Sequence, residues 1–156
     1  MGKFDGIISS DLKRAIQTAK ISFELSEKQN TGNLIIDERF KEANLGNMEG
    51  IDCSRMSQYE HETIYKIYLK GKMLRDDIEQ PGAVLERVKS GLAELENNKN
   101  YILFSHFGVM KIWMYAANVN GIFMNNCGVL GARIAEDGSL KDVIGYWDKN
   151  FESERA

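Results

Sequence analysis

Short apolar runs alternate along this chain with longer segments of helical periodicity. The short runs have the length and the β-branched or aromatic content of buried strands. Five of them are predicted as strands: Asp5 to Ser9, Leu34 to Ile36, Tyr101 to Ser105, Val129 to Ile134 and Leu140 to Tyr146. Between the last two runs, Glu136-Asp137-Gly138 is a turn signal, so these two strands are predicted to be antiparallel.

Segments with helical periodicity occupy most of the remaining chain. An apolar stripe through Leu12, Ala15, Ile16 and Ala19 predicts a helix that begins near Leu12, where Ser9-Ser10-Asp11 offers capping oxygens. The other predicted helical segments are one or two helices in Ser54 to Met73, one from Pro81 to about Glu96, and one from Val109 to Ala117. Residues 37–50 have no sustained period and are predicted as a loop.

The alternation of strands and helices predicts an α/β fold, a three-layer α/β/α sandwich with a mostly parallel sheet and one antiparallel element. No repeat or linker divides the sequence, so residues 1–156 are predicted to form a single domain. Residues at about 51–78 are predicted to form a helical cap over a pocket. The side chains expected to line this pocket or pack beneath the cap are Met48, Met56, Tyr59 and Met73.

Composition narrows the range of partners. The 20 basic and 23 acidic residues give a net charge of -3 and are interspersed, which argues against a nucleic-acid or anionic-membrane surface. No apolar run reaches the roughly 18 residues of a membrane span, and no secretory signal is recognisable, so a cytoplasmic location is expected. Cys53 and Cys127 are expected to be reduced, packed thiols, and the few histidines and cysteines lack the spacing of metal ligands.

Three polar side chains follow predicted strands and are candidates for chemistry: Arg14, Glu42 and His106. Ligands of open α/β sheets bind beyond the carboxyl ends of the strands, so these three residues could converge there. An arginine can bind a phosphate with two donors, a histidine can supply charge or a proton, and a carboxylate can act as a general acid. Considered singly, Arg14 and Glu42 are more simply explained as exposed surface residues, and the argument rests on the three together.

The segments around these residues resemble the motifs of a known family. SSDLKRAIQTA at residues 9–19 is similar to the histidine-phosphatase signature SSxLxRAxQTA, and EANLGNMEG at residues 42–50 resembles its E-x-x-x-G-x-x-x-G segment. Residues 79–88 resemble ESxxDVxxRV with departures at Gln80 and Ala83, and SHFGVMK at residues 105–111 resembles SHGGVIR. Asn126 stands where the family has an asparagine near the closing strands. The collinear resemblance runs from about Phe4 to Trp147.

The resemblance implies a phosphoglycerate-mutase-like fold and assigns roles to the candidate residues. Arg14 would hold the phosphoryl group, Glu42 would protonate the leaving oxygen, and His106 would bind and stabilise the transferring phosphoryl. Ser10 and Gly108 would join Arg14 and His106 as phosphate-binding residues. The implied ligand is a phosphorylated small molecule or inorganic phosphate, and no cofactor or metal is implied.

Two departures from the family pattern bear on activity. The family nucleophile is a histidine in an N-terminal R-H-G motif, which does not occur in this sequence; the second histidine, His61, lies on a predicted helix between two glutamates. Phe107 replaces the glycine that follows the family's second histidine and is expected to narrow the phosphate site. Three explanations stay open: a degenerate binding protein, a piece of an enzyme whose start is missing, or a protein that uses other residues.

The absent first strand of the family normally lies in the middle of the sheet. Its absence is expected to leave an exposed edge or groove, which another copy of the chain or a rearranged element must cover. Self-association is therefore expected. Protein–protein interaction through this edge is a third possible function, and it requires no phosphate pocket.

Overall fold

The computed structural model describes residues 4–23, 34–49, 66–70, 76–122 and 126–148. Five strands lie in this part of the chain: β1 (Gly6–Ser9), β2 (Leu34–Ile36), β3 (Tyr101–Phe104), β4 (Val129–Ile134) and β5 (Leu140–Trp147). Its longer helices are α1 (Lys13–Ser22), α2 (Pro81–Ala93) and α3 (Phe107–Ala116). Two short 3₁₀ turns, Glu38–Phe40 and Gly46–Met48, interrupt the predicted loop, and residues 66–69 are helical.

A three-stranded parallel sheet with the order β2-β1-β3 lies at the centre of the fold. Ile8 of β1 pairs with Ile35 on one side and with Leu103 on the other. The central strand β1 is the most buried of the three. Strands β4 and β5 form a separate antiparallel sheet in which Val129 pairs with Trp147. The α/β class, with a parallel sheet and one antiparallel element, is confirmed.

Element boundaries differ from the predictions by one to three residues. Helix α3 begins at Phe107 and not at Val109, because His106 has an extended backbone and occupies the N-cap position. Helix α1 begins at Lys13, and the Ser10 hydroxyl accepts a hydrogen bond from the Leu12 amide at 3.4 Å, just before the helix. Helix α2 starts at Pro81 as predicted and ends at Ala93, three residues before the predicted end.

The hydrophobic core fills the space between the parallel sheet, α2, α3 and the β4–β5 sheet. Its buried members include Ile8, Phe40, Val84, Val88, Leu92, Val109, Ile112, Met114 and Leu140. Phe40 is 1% exposed, and its ring is so close to Gly91 that a β-carbon there would lie 2.6 Å from it. This close approach lets the 3₁₀ turn Glu38–Phe40 pack directly on α2.

The turn between β4 and β5 is fixed to α2 and α3. The carbonyl of Gly138 accepts a hydrogen bond from the Trp113 indole at 3.0 Å, and Asp137 forms a 2.9 Å ion pair with Lys89. Gly138 has a φ of +77°, and a β-carbon on it would lie 2.1 Å from the backbone oxygen of Lys89. Only glycine suits this position, because both the conformation and the available space exclude a side chain.

Several predictions fall outside the described residues or differ from what is seen. Of the predicted cap, only residues 66–70 and 76–78 are described, and Met56, Tyr59, His61, Met73 and Cys53 lie outside. Met48 lies in the second 3₁₀ turn. Cys127 is an exposed free thiol with a φ of +68°, so the expectation of a packed thiol is wrong for this residue. In the described ranges, no helix has both the length and the apolar character needed to cross a membrane, and no cluster of potential metal ligands occurs.

Candidate functional site

Two candidate segments meet at the carboxyl ends of neighbouring strands. Ser10 follows β1 and His106 follows β3, and the two strands are parallel and in register from Gly6 with Tyr101 to Ser9 with Phe104. Parallel strands end at the same edge of a sheet, so the residues that follow them become neighbours. The Ser10 hydroxyl lies 2.7 Å from Nε2 of His106, although the two residues are 96 positions apart.

His106 is a buried and neutral histidine in this setting. Its residue is 6% exposed, and burial is the largest of the effects that lower its pKa, to about 4. The positive charges of Arg14 and Arg87 lower the pKa further, and the negative charge of Asp11 partly offsets them. At neutral pH, the imidazole therefore carries no charge and acts as a hydrogen-bonding group.

Glu42 is brought to the start of α3, next to His106. Its Oε2 accepts a 3.4 Å hydrogen bond from the amide of Gly108, and its Oε1 accepts one from the amide of Ala43 at 3.0 Å. A carboxylate is favourable at this end of a helix, because the first amides have no partner within the helix. Gly108, which the family resemblance assigned to phosphate binding, donates its amide to the Glu42 carboxylate.

Arg14 lies in the first turn of α1, where its side chain is exposed. It is close enough to His106 for its charge to lower the pKa of the imidazole. Arg14, Glu42 and His106, which the sequence placed after three different strands, therefore lie around one region at the carboxyl edge of the sheet. Their catalytic and binding roles stay predictions.

Ser10 occupies a different place from the one expected of a ligand-binding hydroxyl. The residue is 0% exposed, and its oxygen contacts His106 and the Leu12 amide. This placement favours an action through His106 over direct contact with a bound phosphate.

Phe107 is half-buried, and the ammonium of Lys111 lies 5.8 Å from its ring centroid, one helical turn further along α3. Whether Phe107 narrows the phosphate site stays a prediction. Asn126 is exposed in a turn before β4.

Arg87 holds the backbone of the loop that carries Glu42. Its guanidinium donates to the carbonyls of Arg39 at 2.6 Å, Lys41 at 2.8 Å and Glu42 at 3.3 Å. The same group makes two hydrogen bonds to the Glu79 carboxylate, at 2.7 and 3.0 Å. Because Arg is charged at all accessible pH values and presents its donors in a rigid fork, it can satisfy all of these acceptors together.

Glu79 and Tyr68 extend this network towards the predicted cap. Oε2 of Glu79 accepts from the Asn44 amide at 3.1 Å, and the Tyr68 hydroxyl donates to the Glu79 carbonyl at 2.9 Å. Burial, and then the negative charges of Glu79 and Glu42, raise the pKa of Tyr68 to about 12. The Tyr68 hydroxyl therefore stays protonated and keeps its hydrogen bond to the Glu79 carbonyl.

Sequence reasoning missed the contacts of Arg87 with the Glu42 loop and the pairing of Ser10 with His106. Arg87 was present in the motif at residues 79–88, but no role could be given to it from spacing alone. The available signal was the placement of an arginine inside an otherwise apolar helical stripe, flanked by Val84, Leu85 and Val88. Such a position requires partners when the helix is packed.

A shallow depression of about 250 Å³ lies elsewhere, at the other end of α3. Its lining residues are Leu85, Lys89, Trp113, Ala116, Ala117, Ser139 and Leu140. None of the candidate residues of the site borders it.

Comparisons with known proteins bear on the family and the fold of this chain. The profile of the histidine phosphatase superfamily (branch 1) matches residues 2–138. Among solved structures, YhfR from Bacillus stearothermophilus is similar with a TM-score of 0.62 and 21% identity, over 91% of this chain and 73% of YhfR. No curated protein matches the sequence significantly.

Two mycobacterial structures share the fold. A glucosyl-3-phosphoglycerate phosphatase has a TM-score of 0.59 and 21% identity, over 90% of this chain and 76% of its own length. A protein described as mycobacterial hydrolase 1 has a TM-score of 0.54 and 23% identity, over 73% of this chain. This chain spans 56% of the length of that hydrolase.

Proposed function

The chain belongs to branch 1 of the histidine phosphatase superfamily, and from this premise we propose that its pocket binds phosphate monoesters and inorganic phosphate without hydrolysing them. The observation that carries the proposal is the 2.7 Å contact of Ser10 with Nε2 of His106, which joins the ends of β1 and β3 and brings His106 close to the start of α1, the helix that holds Arg14. Arg14 adds a positive charge to the same region. A cation and a neutral imidazole that can donate a hydrogen bond together suit a phosphoryl group.

The proposal that the ester is not hydrolysed rests on the sequence given, which holds no histidine in an R-H-G motif. Phosphohistidine chemistry needs an accessible imidazole that can attack phosphorus. His106 is buried and its Nε2 is bonded to Ser10, and His61 lies between Glu60 and Glu62, outside an R-H-G motif. Positioning and electrostatic stabilisation can still bind the ester, but the loss of a nucleophile usually lowers the rate of hydrolysis by several orders of magnitude.

The binding half of the proposal is tested with inorganic phosphate and the Arg14→Gln variant. Loss of one charge-assisted contact, about 1.5 to 3 kcal/mol, should weaken binding about tenfold or more in a calorimetric titration. Lys13→Gln is the matched control, because it removes the same charge from the neighbouring exposed residue and should change affinity less than about threefold. Equal affinities in the wild type and Arg14→Gln would contradict the proposed pocket.

The proposed lack of hydrolysis is tested with a generic aryl phosphate. Its hydrolysis is measured for the wild-type 156-residue chain and for the variants His106→Ala and Arg14→Ala. We expect hydrolysis by the wild type to be no faster than by the two variants. Activity that both substitutions abolish would show that the pocket works with a nucleophile from this chain, and it would overturn the non-catalytic reading.

A second candidate function is hydrolysis or phosphomutase chemistry with a nucleophile supplied from outside this sequence. The position of Glu42 beside the start of α3 favours it, because a general acid beside the phosphate site has no use in simple binding. The test is to read the upstream coding sequence, express the chain with any in-frame R-H-G segment found there, and repeat the aryl-phosphate assay. Turnover that disappears with Glu42→Gln would support this second function.

A further inference from the structure

Ser10 and His106 form an isolated polar pair inside the protein. Ser10 is 0% exposed and His106 is 6% exposed, and the distance of 2.7 Å between Oγ and Nε2 is that of a strong hydrogen bond. A histidine ring nitrogen can donate or accept, so the direction of this bond decides which ring nitrogen carries the proton.

The direction of the Ser10–His106 hydrogen bond follows from the single hydrogen of the Ser10 hydroxyl. The oxygen already accepts from the Leu12 amide at 3.4 Å, and a hydroxyl has one hydrogen to donate. Among the described residues, Nε2 of His106 is the acceptor that Oγ of Ser10 contacts. If Nε2 carried the proton instead, the hydroxyl hydrogen would be buried without an acceptor, which folded proteins avoid. The bonds therefore run from the Leu12 amide to Ser10, and from Ser10 to Nε2.

We propose that Ser10 is a positioning residue that holds His106 as the neutral tautomer with its proton on Nδ1. The role of Ser10 in ligand binding rests on the proposed function, since His106 belongs to the phosphate pocket only under that proposal. The tautomer is a property of the free protein. In this arrangement, His106 can offer a ligand one N–H donor and no charge, and the charge opposite a phosphate comes from Arg14.

The charged groups around His106 are consistent with a neutral ring. Arg14 from α1 and Arg87 from α2 disfavour the imidazolium, whereas Asp11, which precedes α1, favours it. The Glu42 carboxylate faces the amide of Gly108, two residues further along the chain. Burial is the largest of these effects and also opposes the charged form.

Nitrogen-15 NMR of the full chain tests the proposal directly, because the sequence holds two histidines and His61→Gln assigns the second one. In phosphate-free buffer at pH 7, the wild type should show Nδ1 of His106 protonated and Nε2 unprotonated. A wild-type spectrum with the proton on Nε2 would overturn the proposal without the need for any variant.

Two serine variants distinguish the loss of the Ser10–His106 hydrogen bond from the general effect of removing a buried hydroxyl. Ser10→Ala removes the donor to Nε2 and should shift the ring towards the Nε2–H tautomer or a mixture of both. Ser9→Ala is the matched control: Ser9 is also 0% exposed, but its hydroxyl donates to the Ser10 carbonyl and not to His106. It should retain the wild-type tautomer. An unchanged tautomer in folded Ser10→Ala would refute the role of Ser10.

Failure of this proposal can be distinguished from failure of the proposed function. The tautomer is read without ligand, whereas phosphate affinity is read by titration. A chain with the Nδ1–H tautomer that binds no phosphate would refute the proposed function and leave the Ser10–His106 assignment standing. Phosphate binding by a chain whose His106 carries the proton on Nε2 would support the proposed function and refute the Ser10–His106 assignment.

Discussion

At the scale of single residues, Arg87 determines where the Glu42 loop lies. Its ion pair with Glu79 is largely shielded from solvent, with side-chain exposures of 15% and 21%. Arg87→Ala would leave the Glu79 carboxylate and three backbone carbonyls without their donor. We expect this change to lower the free energy of unfolding by about 2 to 4 kcal/mol, measured by urea denaturation.

The control for Arg87 is Arg133, which forms an ion pair with Asp142 at the surface, with exposures of 67% and 47%. Arg133→Ala should change the free energy of unfolding by less than about 1 kcal/mol, because exposed ion pairs contribute little. Similar small losses for both variants would contradict the role given to Arg87.

Because the imidazole of His106 is buried, the free energy of unfolding should decrease as the pH falls. Its pKa is about 4 in the folded protein and 6.5 as the reference for the unfolded chain, so the unfolded state binds more protons between these values. Stability should therefore be full above pH 6.5 and should fall by at most about 3 kcal/mol as the pH drops towards 4. Asp37 and Glu79, two of the carboxylates whose pKa values are lowered, lose their contribution to the free energy of unfolding at lower pH.

Urea denaturation at pH 7 and pH 4.5 measures this effect. His106→Gln should be less sensitive to pH over that interval than the wild type. An equal loss of stability in both proteins would show that another group, such as His61, produces the dependence.

The contacts of single residues were the least predictable part of the site from sequence. Apolar spacing placed Arg14, Glu42 and His106 after strands, and the parallel sheet then brought Ser10 and His106 together. The bonds of Arg87 to the carbonyls of residues 39, 41 and 42 span 45 to 48 positions. Local periodicity contains no information about such distant partners, which are set by how α2 packs on the sheet.

At the scale of elements, the strands were predictable because each consists of a short apolar run bounded by polar residues. The start of α3 was not, because the apolar period begins at Val109, whereas the helical backbone begins at Phe107. A helix can start one or two residues before its buried face begins, so periodicity sets its core-facing part more reliably than its ends.

The stability of the β4–β5 turn depends on how closely Gly138 packs against the backbone of α2. Gly138→Ala would combine a left-handed backbone with a clash against the Lys89 carbonyl, and should lower the free energy of unfolding by about 2 to 5 kcal/mol. Gly121 also has a positive φ, of +84°, but no atom lies within 4 Å of its would-be β-carbon. Gly121→Ala should therefore lower the free energy of unfolding by only about 1 to 2 kcal/mol. Equal losses in thermal denaturation would argue against the packing role of Gly138.

At the scale of the whole molecule, the described strands form two sheets and not one. Strand β3 pairs with β1 on one side and, in the part of the chain that the structure describes, with no strand on its other side. Its four residues are apolar, and all are only half-buried. The β4–β5 sheet exposes Val129, Ile144 and Trp147 by 50%, 62% and 56%. Unpaired edges and apolar surfaces of this kind favour association.

We therefore expect the purified chain to self-associate, and sedimentation at several concentrations measures this. Ile144→Lys should reduce the average mass, because it places a charge on the exposed face of β5. Ile21→Lys is the control, since Ile21 is 78% exposed near the end of α1 and should not change the mass. A monomeric mass for the wild type over the working concentration range would refute the expectation.

The position of β1 in the middle of the sheet has a consequence for synthesis. Gly6 pairs with Tyr101, so β1 is synthesised 95 residues before the strand that pairs with it. At about 5 to 20 residues per second, that partner leaves the ribosome about 5 to 20 s later. During this interval, the apolar residues of β1 lack the cover that β3 provides. The nascent chain is therefore a candidate for chaperone binding, and slower elongation would lengthen the exposed period.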